Sequence, residues 1–133
     1  MSDEARIHAH SFVYALDCPD AAALAQFYAG LLGWEVDAGD EDYPAWVSVL
    51  PPTGHAAMFS IGCQQIPDYQ RPTWPSGPIP QQAHLDFYVP SVAEAVPRAV
   101  AAGAVPHEFQ PSRDGQFVVL LDPAGHPFCL CEE

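Results

Sequence analysis

The stretch Pro51–Gly62, PPTGHAAMFSIG, is matched 71 residues later by Asp122–Glu133, DPAGHPFCLCEE. Both copies contain Pro-x-Gly-His followed by an apolar segment. The same displacement aligns Val13–Asp20, VYALDCPD, with His84–Ser91, HLDFYVPS. Agreement at several separate places along the chain indicates an internal repeat, and a repeat of this length predicts a structural unit that occurs twice.

In the first unit, an alternating pattern predicts a β-strand over residues 8–16. The alanine-rich segment that follows predicts a helix reaching about Leu32, with Asp20 as the N-cap and Gly33 as the C-terminal stop. Three short strands are predicted near residues 34–37, 45–50 and 56–61.

The second unit repeats this order. A strand is predicted over residues 84–89, followed by a helix over 92–102 with Ser91 as its N-cap. Pro97 lies inside that helix and is expected to bend or weaken its first turns, because proline lacks a backbone N–H. Three further strands are predicted near residues 105–109, 116–121 and 127–131.

The predicted fold is α+β, a single domain over residues 1–133 made of two βαβββ modules. Module 1 spans about 7–63, a proline-rich linker about 64–81, and module 2 about 82–132. Either module alone has too small a core to be stable, so the two curled sheets are expected to pair, within the chain or across a dimer. Such a pairing forms a cavity, and ligand sites favour interfaces of this kind.

The composition limits the classes of partner. Among 133 residues there are 17 acidic and 4 basic ones, a formal net charge of -13, which disfavours nucleic acids and anionic membrane surfaces. No apolar run is long enough to span a bilayer, and the segment MSDEARIHAH has no features of a secretory signal. The four cysteines form no CxxC pair, so we expect reduced thiols in a cytoplasmic protein.

Three motifs carry a resemblance to a known superfamily: FYAGLLGWEV at 27–36, PQQAHLDFYV at 80–89 and LLDPAGHPFCL at 120–130. With the repeat, they make the chain similar to the glyoxalase / bleomycin-resistance / extradiol-dioxygenase (vicinal oxygen chelate) superfamily, and to its glyoxalase-like domain proteins in particular. The resemblance implies paired βαβββ modules with a pseudo-twofold relation. In enzymes of that superfamily, it implies a divalent metal held by four side chains, two from each module.

The resemblance maps those ligand positions onto Val13, Met58, His84 and Cys129. Valine does not ligate metals, methionine is a poor ligand for hard or borderline metals, and only His84 is of the usual type. We therefore predict no metal cofactor. A divalent metal is the alternative, because a small shift of the alignment would bring His10 or His8 to the position of Val13.

Several residues are candidates for a ligand pocket. His84 is the candidate catalytic residue, either as a general base or as a hydrogen-bonding group, or else it is a structural remnant. Asp86 and Tyr88 share its face of the strand, and Trp46 and Trp74 are candidates for stacking on an aromatic ligand. The complete predicted pocket consists of Val13, Trp46, Met58, Trp74, His84, Asp86, Tyr88 and Cys129.

Other residues have structural interpretations. His55 and His126 follow glycine in the two repeated turns and are predicted to cap them. Cys129 and Cys131 are predicted to pack as small apolar groups rather than to react, because basic neighbours that would lower a thiol pKa are scarce.

Three functional hypotheses follow. The first is metal-independent binding of a small molecule, as in the sequestering resistance proteins of the superfamily. The second is a lyase, isomerase or dioxygenase acting on a vicinal-oxygen substrate, with or without a divalent metal. The third is an accessory interaction module. A homodimer is expected in each case, because symmetric dimers are common among small modules of this kind.

Overall fold

A computed structural model describes residues 9–133, with the exception of the His55 side chain. The first module contains strand β1 (Phe12–Cys18), helix α1 (Ala21–Leu32), and strands β2 (Glu35–Asp37), β3 (Trp46–Leu50) and β4 (Phe59–Gln65). The second contains β5 (Leu85–Val89), α2 (Val92–Ala102), β6 (Val105–Pro106), β7 (Phe117–Leu121) and β8 (Pro127–Glu132). The predicted order of elements is confirmed.

Each module forms one four-stranded mixed sheet. The strand order is β1-β4-β3-β2 in sheet 1 and β5-β8-β7-β6 in sheet 2, so the two sheets have the same topology. The first and last strands of each module run parallel, and the remaining pairs are antiparallel. The two-module α+β fold is therefore confirmed.

Local signals placed the helix ends correctly. The Asp20 side chain accepts a hydrogen bond from the backbone N–H of Ala23, and Ser91 caps the second helix in the same way. Gly33 ends the first helix in the left-handed conformation, with φ of 70°, which glycine adopts without a steric penalty. The second helix continues through Pro97 as far as Ala102.

Three strands differ from their predicted limits by two residues or more. Strand β1 was predicted over 8–16 and runs from Phe12 to Cys18. A 3₁₀ turn occupies Gly54–Ala56, so β4 begins at Phe59 rather than near residue 56. Strand β6 contains only Val105 and Pro106, where five residues were predicted. The His107 N–H still donates to the carbonyl of Val119 at 3.0 Å, but the N–H of Val119 donates to Gln110 Oε1 at 2.9 Å instead of to β6, and the strand ends there.

The hydrophobic core is continuous across both modules and lies on the helix side of each sheet. Alternation along the strands buries Leu16 and Ile61 in it and directs residues such as Val13 to the opposite face. Phe27 of α1 packs against Phe128 of β8, with ring centroids 6.0 Å apart. The modules therefore pack against each other on their helix sides within one chain, and the opposite faces of the two sheets take no part in this core.

The linker is attached to the second module at the turn before β8. The Tyr69 hydroxyl donates to the carbonyl of Ala124 at 2.8 Å, and Arg71 donates to the carbonyl of Pro123 at 3.1 Å. These bonds fix the extended, proline-rich segment across the molecule. Over residues 9–133, no helix combines the length and apolar character needed to cross a membrane.

Candidate functional site

The face of each sheet that is turned away from its helix is here called the outer face. On sheet 2 the outer face contains Asp86 and Tyr88 from β5 and Cys129 and Cys131 from β8, with His84 immediately before β5. Together with Gln116, Phe117 and Glu132 they line a cavity of about 380 Å³, the His84 cavity. The structure thus brings together four of the eight predicted pocket residues.

Three side chains in this cavity are close enough to act together. The His84 Nε2 atom lies 3.2 Å from Asp86 Oδ1, and both side chains are about two-fifths exposed, 42% and 44%. One donor atom from each of His84, Asp86 and Cys129 lies within 4.8 Å of the other two. The trio could hydrogen-bond a ligand, or offer a metal ion one nitrogen, one oxygen and one sulfur donor.

The Cys129 thiol is held in its neutral form. Burial, together with the hydrogen bond and charge of Asp86, raises the pKa of Cys129 to about 12. Burial and the Asp86 charge also raise the pKa of Cys131. Because the thiolate is the nucleophile, neither cysteine is activated for covalent chemistry, which agrees with the packing role predicted for them. All four cysteines of the chain lie in the described region, and each is free of a disulfide.

The strand register changes one of the correspondences inferred from the repeat. Asp86 pairs with Cys129, and the equivalent pair in module 1 is Ala15 with Gly62. The position corresponding to Cys129 is therefore Gly62, whereas Met58 precedes β4 and is 66% exposed. The shift of 71 residues that aligns the two repeats no longer holds in the last strand of each module, because the connection from β3 to β4 is longer than the connection from β7 to β8.

Sheet 1 supplies few donors at the positions equivalent to the trio. Val13 corresponds to His84 and pairs with Ser60, and Ala15 and Gly62 complete the set. None of these is a usual ligand for a divalent metal. His10 lies before β1 and is exposed, and His8 lies outside the described residues. The residues present therefore do not fit a four-ligand metal site shared equally by the two modules.

Trp46 lies on the outer face of sheet 1, away from the His84 cavity. Its ring covers Gly62 so closely that a Cβ atom at that position would overlap the indole. The indole Nε1 donates to Ser48 Oγ at 3.0 Å. Trp46 lines a separate cavity of about 480 Å³, the Trp46 cleft, together with Tyr43 and neighbouring residues.

The remaining predicted pocket residues are placed elsewhere. Trp74 packs against His107 and Phe109 of module 2, with ring centroids 4.9 and 5.7 Å apart. Val13 is 54% exposed on the outer face of sheet 1, and neither it nor Met58 lines the His84 cavity or the Trp46 cleft. Over residues 9–133 of a single copy, the eight predicted pocket residues therefore do not form one pocket.

A buried contact joins two of the motifs that carry the resemblance. The Tyr28 hydroxyl donates to Asp122 Oδ2 at 2.7 Å, and Asp122 Oδ1 accepts from the backbone N–H groups of Ala124 and His126. Burial raises the pKa of Asp122, and it raises that of Tyr28 well above its ordinary value. Sequence reasoning identified both motifs but missed their contact, since the two residues are 94 positions apart.

The His126 ring also has a structural position. Its Nε2 atom lies 2.6 Å from the carbonyl oxygen of Asp17 and 3.2 Å from the hydroxyl of Tyr69. The ring therefore connects the turn to β1 and the linker, whereas the predicted cap of the turn itself is supplied by Asp122 rather than by this histidine. The corresponding prediction for the His55 side chain lies outside the described residues.

The family model described as "Glyoxalase-like domain" matches residues 13–131. Among curated proteins, none is significantly similar to the chain. Solved structures share the fold at low identity. A glyoxalase/dioxygenase from Nostoc punctiforme is 19% identical, with a TM-score of 0.67 over 100% of this chain and 95% of that one.

Two further structural neighbours have names that describe a role. The genomically encoded fosfomycin resistance protein FosX from Listeria monocytogenes is 18% identical, with a TM-score of 0.66 over 96% of this chain and 95% of FosX. TnmS3, an antibiotic binding protein from Streptomyces sp. CB03234, is 18% identical, with a TM-score of 0.60 over 96% of this chain and 97% of TnmS3. At these identities, the likeness establishes the fold.

Proposed function

Since the chain belongs to the glyoxalase-like domain family, we propose that it binds a small molecule without a metal ion, in the manner of a resistance or sequestration protein. The observation that carries this proposal is the composition of sheet 1. Where sheet 2 has His84, Asp86 and Cys129, sheet 1 has Val13, Ala15 and Gly62, which offer no donor side chain. The names of FosX and TnmS3 associate the same fold with antibiotic resistance and antibiotic binding.

The His84 cavity offers the chemistry of a binding site. The His84–Asp86 pair supplies polar groups that orient a ligand through hydrogen bonds, and the Tyr88 ring, 68% exposed, supplies a flat apolar surface. Cys129 contributes a neutral, polarizable wall. With a chain charge of -13, the cavity favours neutral or cationic ligands over anions.

We further propose that the protein is a homodimer in the cytoplasm, without nucleic acid or membrane partners. Val13 and Tyr88 on the outer faces, and Met58 just before β4, are each more than half exposed, at 54%, 68% and 66%. Large exposed apolar groups of this kind are typical of interfaces. A second copy covering the outer faces would bury them and enclose the His84 cavity. Sedimentation velocity should give one dimeric species, and a monomer at micromolar concentration contradicts this proposal.

A thermal-shift screen in the presence of EDTA tests the binding function. At least one aromatic compound should stabilise the protein, and His84→Ala and Tyr88→Ala should lose that stabilisation. Val100→Ala is the matched control, because this exposed α2 side chain lines neither cavity. Stabilisation that occurs only after a divalent ion is added would refute metal-independent binding.

A second candidate is a lyase, isomerase or dioxygenase that acts on a vicinal-oxygen substrate. The proximity of donor atoms from His84, Asp86 and Cys129, within 4.8 Å of one another, favours it. Three protein ligands plus a water are the usual complement of a catalytic zinc site. Turnover that requires a divalent ion and is lost in His84→Ala would support this candidate instead.

A further inference from the structure

The loop between β2 and β3, residues 38–45, is acidic and is shaped by its own hydrogen bonds. Gly39 has φ of 69° and donates its N–H to Asp37 Oδ1 at 2.8 Å. Asp42 donates its N–H to Asp40 Oδ1 at 2.8 Å, and Tyr43 donates to the Asp40 carbonyl at 2.9 Å. Such Asx turns fix the course of a loop without help from regular secondary structure. The loop therefore holds Tyr43 and two carboxylates beside the start of β3.

Trp46 lines the same cleft as these groups, and its ring is held in a fixed orientation. Gly62 allows the indole to lie flat against sheet 1, because any larger residue there would overlap the ring. The bond from the indole Nε1 to Ser48 Oγ, at 3.0 Å, sets its rotation. An aromatic surface fixed in this way loses little conformational entropy when a ligand covers it.

The Trp46 cleft, of about 480 Å³, combines two aromatic side chains with two carboxylates. Its principal lining residues are Asp40, Asp42, Tyr43, Pro44, Trp46 and Gln64. Within the described part of the chain, no basic side chain lines it. The carboxylates consequently have no cation of the protein in the cleft to neutralise them. Tyr43 is 69% exposed, so an incoming group can reach its ring from solvent.

We propose that the Trp46 cleft binds an organic ammonium ion, quaternary or protonated, between the rings of Tyr43 and Trp46 and beside the carboxylates of Asp40 and Asp42. An aromatic face attracts a cation within about 6 Å of its centroid, and tryptophan does so most strongly. The carboxylates add a longer-range attraction that also increases the association rate. Within one chain the cleft shares no lining residue with the His84 cavity, so substitutions can test the two sites separately.

The test uses choline and its neutral isostere 3,3-dimethylbutan-1-ol as probes of the full chain. Titrations followed in ¹H–¹⁵N spectra report on the indole N–H signals of the three tryptophans, with that of Trp46 assigned from Trp46→Phe. Choline should shift the Trp46 signal saturably and leave the Trp74 signal unchanged. The isostere, which has the same shape without the charge, should bind at least about tenfold more weakly.

Two sets of variants give independent readouts. Tyr43→Ala should weaken choline binding about 3- to 30-fold. The double variant Asp40→Asn, Asp42→Asn should weaken it similarly and reduce its salt dependence. Asparagine retains the side-chain oxygen that Asp40 uses in its turn, so the loop should keep its shape. Val100→Ala is the matched control, because this exposed α2 side chain lines neither cavity, and it should bind choline as the parent does.

Several results would overturn the proposal. Equal binding of choline and its isostere would show that the cleft recognises shape rather than charge. Unchanged affinity in Tyr43→Ala, or the absence of any saturable shift of the Trp46 signal, would show that the cleft holds no ammonium ion. Loss of choline binding in His84→Ala alone would assign the cation to the other cavity.

Discussion

The buried hydrogen bond between Tyr28 and Asp122 makes a quantitative prediction about stability. The two side chains are almost inaccessible to solvent, and their oxygens are 2.7 Å apart. Tyr28→Phe removes the hydroxyl while retaining the ring, which packs edge-on against Phe27 with centroids 4.9 Å apart. The substitution therefore removes one hydrogen bond and leaves Asp122 Oδ2 buried without that donor.

The expected loss follows from the type of bond. A neutral buried hydrogen bond contributes about 1 kcal/mol to the free energy of unfolding, and one to a charged group contributes about 1.5–3 kcal/mol. Asp122 Oδ1 keeps both of its backbone donors, so the turn itself should persist. We therefore expect Tyr28→Phe to lower the free energy of unfolding by about 1.5–3 kcal/mol at neutral pH.

Urea unfolding followed by tryptophan fluorescence measures this change. Tyr88→Phe is the matched control, because it removes a hydroxyl from a side chain that is 68% exposed, and it should change stability by less than about 0.5 kcal/mol. A double-mutant cycle with Asp122→Asn isolates the coupling between the two residues. A loss in Tyr28→Phe no greater than that of the control would refute this account of the motif.

The pH dependence of the loss provides a second check. Burial raises the folded-state pKa of Asp122, and the bond from Tyr28 partly lowers it, so Tyr28→Phe should raise it further. When a carboxyl group has a higher pKa in the folded state than in the unfolded state, its stabilising contribution to the folded protein is present below the unfolded-state pKa. That contribution is lost as the pH rises through the folded-state pKa. The deficit of Tyr28→Phe should therefore be smaller near pH 4, about the pKa of an unfolded aspartate, than at neutral pH.

Three further predictions concern other parts of the molecule. Gly62→Ala should displace the Trp46 indole, lower the unfolding free energy by about 1–3 kcal/mol and alter the fluorescence spectrum, whereas an unchanged spectrum would contradict the packing described. Cys129, with its pKa raised from 9.0 to about 12, should have roughly a thousandfold less thiolate at pH 8 than an ordinary cysteine. Iodoacetamide should therefore modify it very slowly in the folded protein and rapidly in urea, and Asp86→Asn should accelerate the reaction in the folded protein. Fast modification of the folded parent would disprove the raised pKa. Asp20→Ala should cost about 1 kcal/mol by removing the α1 cap, and urea unfolding that shows no loss would exclude a stabilising cap.

The predictable parts of the fold are those with local causes. Asp20 and Ser91 cap their helices through a backbone N–H three residues away, and Gly33 provides the left-handed stop within its own turn. Such signals can be recognised in a short window of sequence. The repeated order of elements followed from these signals and from the internal repeat, whereas the family was identified by resemblance in the motifs at 27–36, 80–89 and 120–130.

Strand register could not be obtained in the same way. The motif alignment equated Met58 with Cys129, but the register places Gly62 in that position. A strand's alignment depends on its partner and on the length of the connecting turns, neither of which is encoded in the strand itself. The two turns share Pro-x-Gly-His, yet only module 1 forms a 3₁₀ turn there and continues for two more residues before its last strand.

The composition of the pocket was also only partly predictable. Period-two alternation predicted His84, Asp86 and Tyr88 on one face of a strand over 84–89. In the structure, Asp86 and Tyr88 lie on the outer face of β5, His84 lies immediately before it, and all three line one cavity with Cys129. Trp46 and Trp74 were assigned to the same pocket by chemistry alone, but they lie against Gly62 and His107, in different parts of the molecule. Distances between elements depend on tertiary packing, which the sequence pattern does not contain.

Elemental analysis of protein purified without chelators tests metal-independent binding most directly. For the parent chain and His84→Ala alike, the account predicts zinc, nickel, iron and manganese contents far below one ion per chain. A near-stoichiometric amount of any of these metals in the parent, lost on His84→Ala, would contradict the account and identify the His84–Asp86–Cys129 trio as a metal centre.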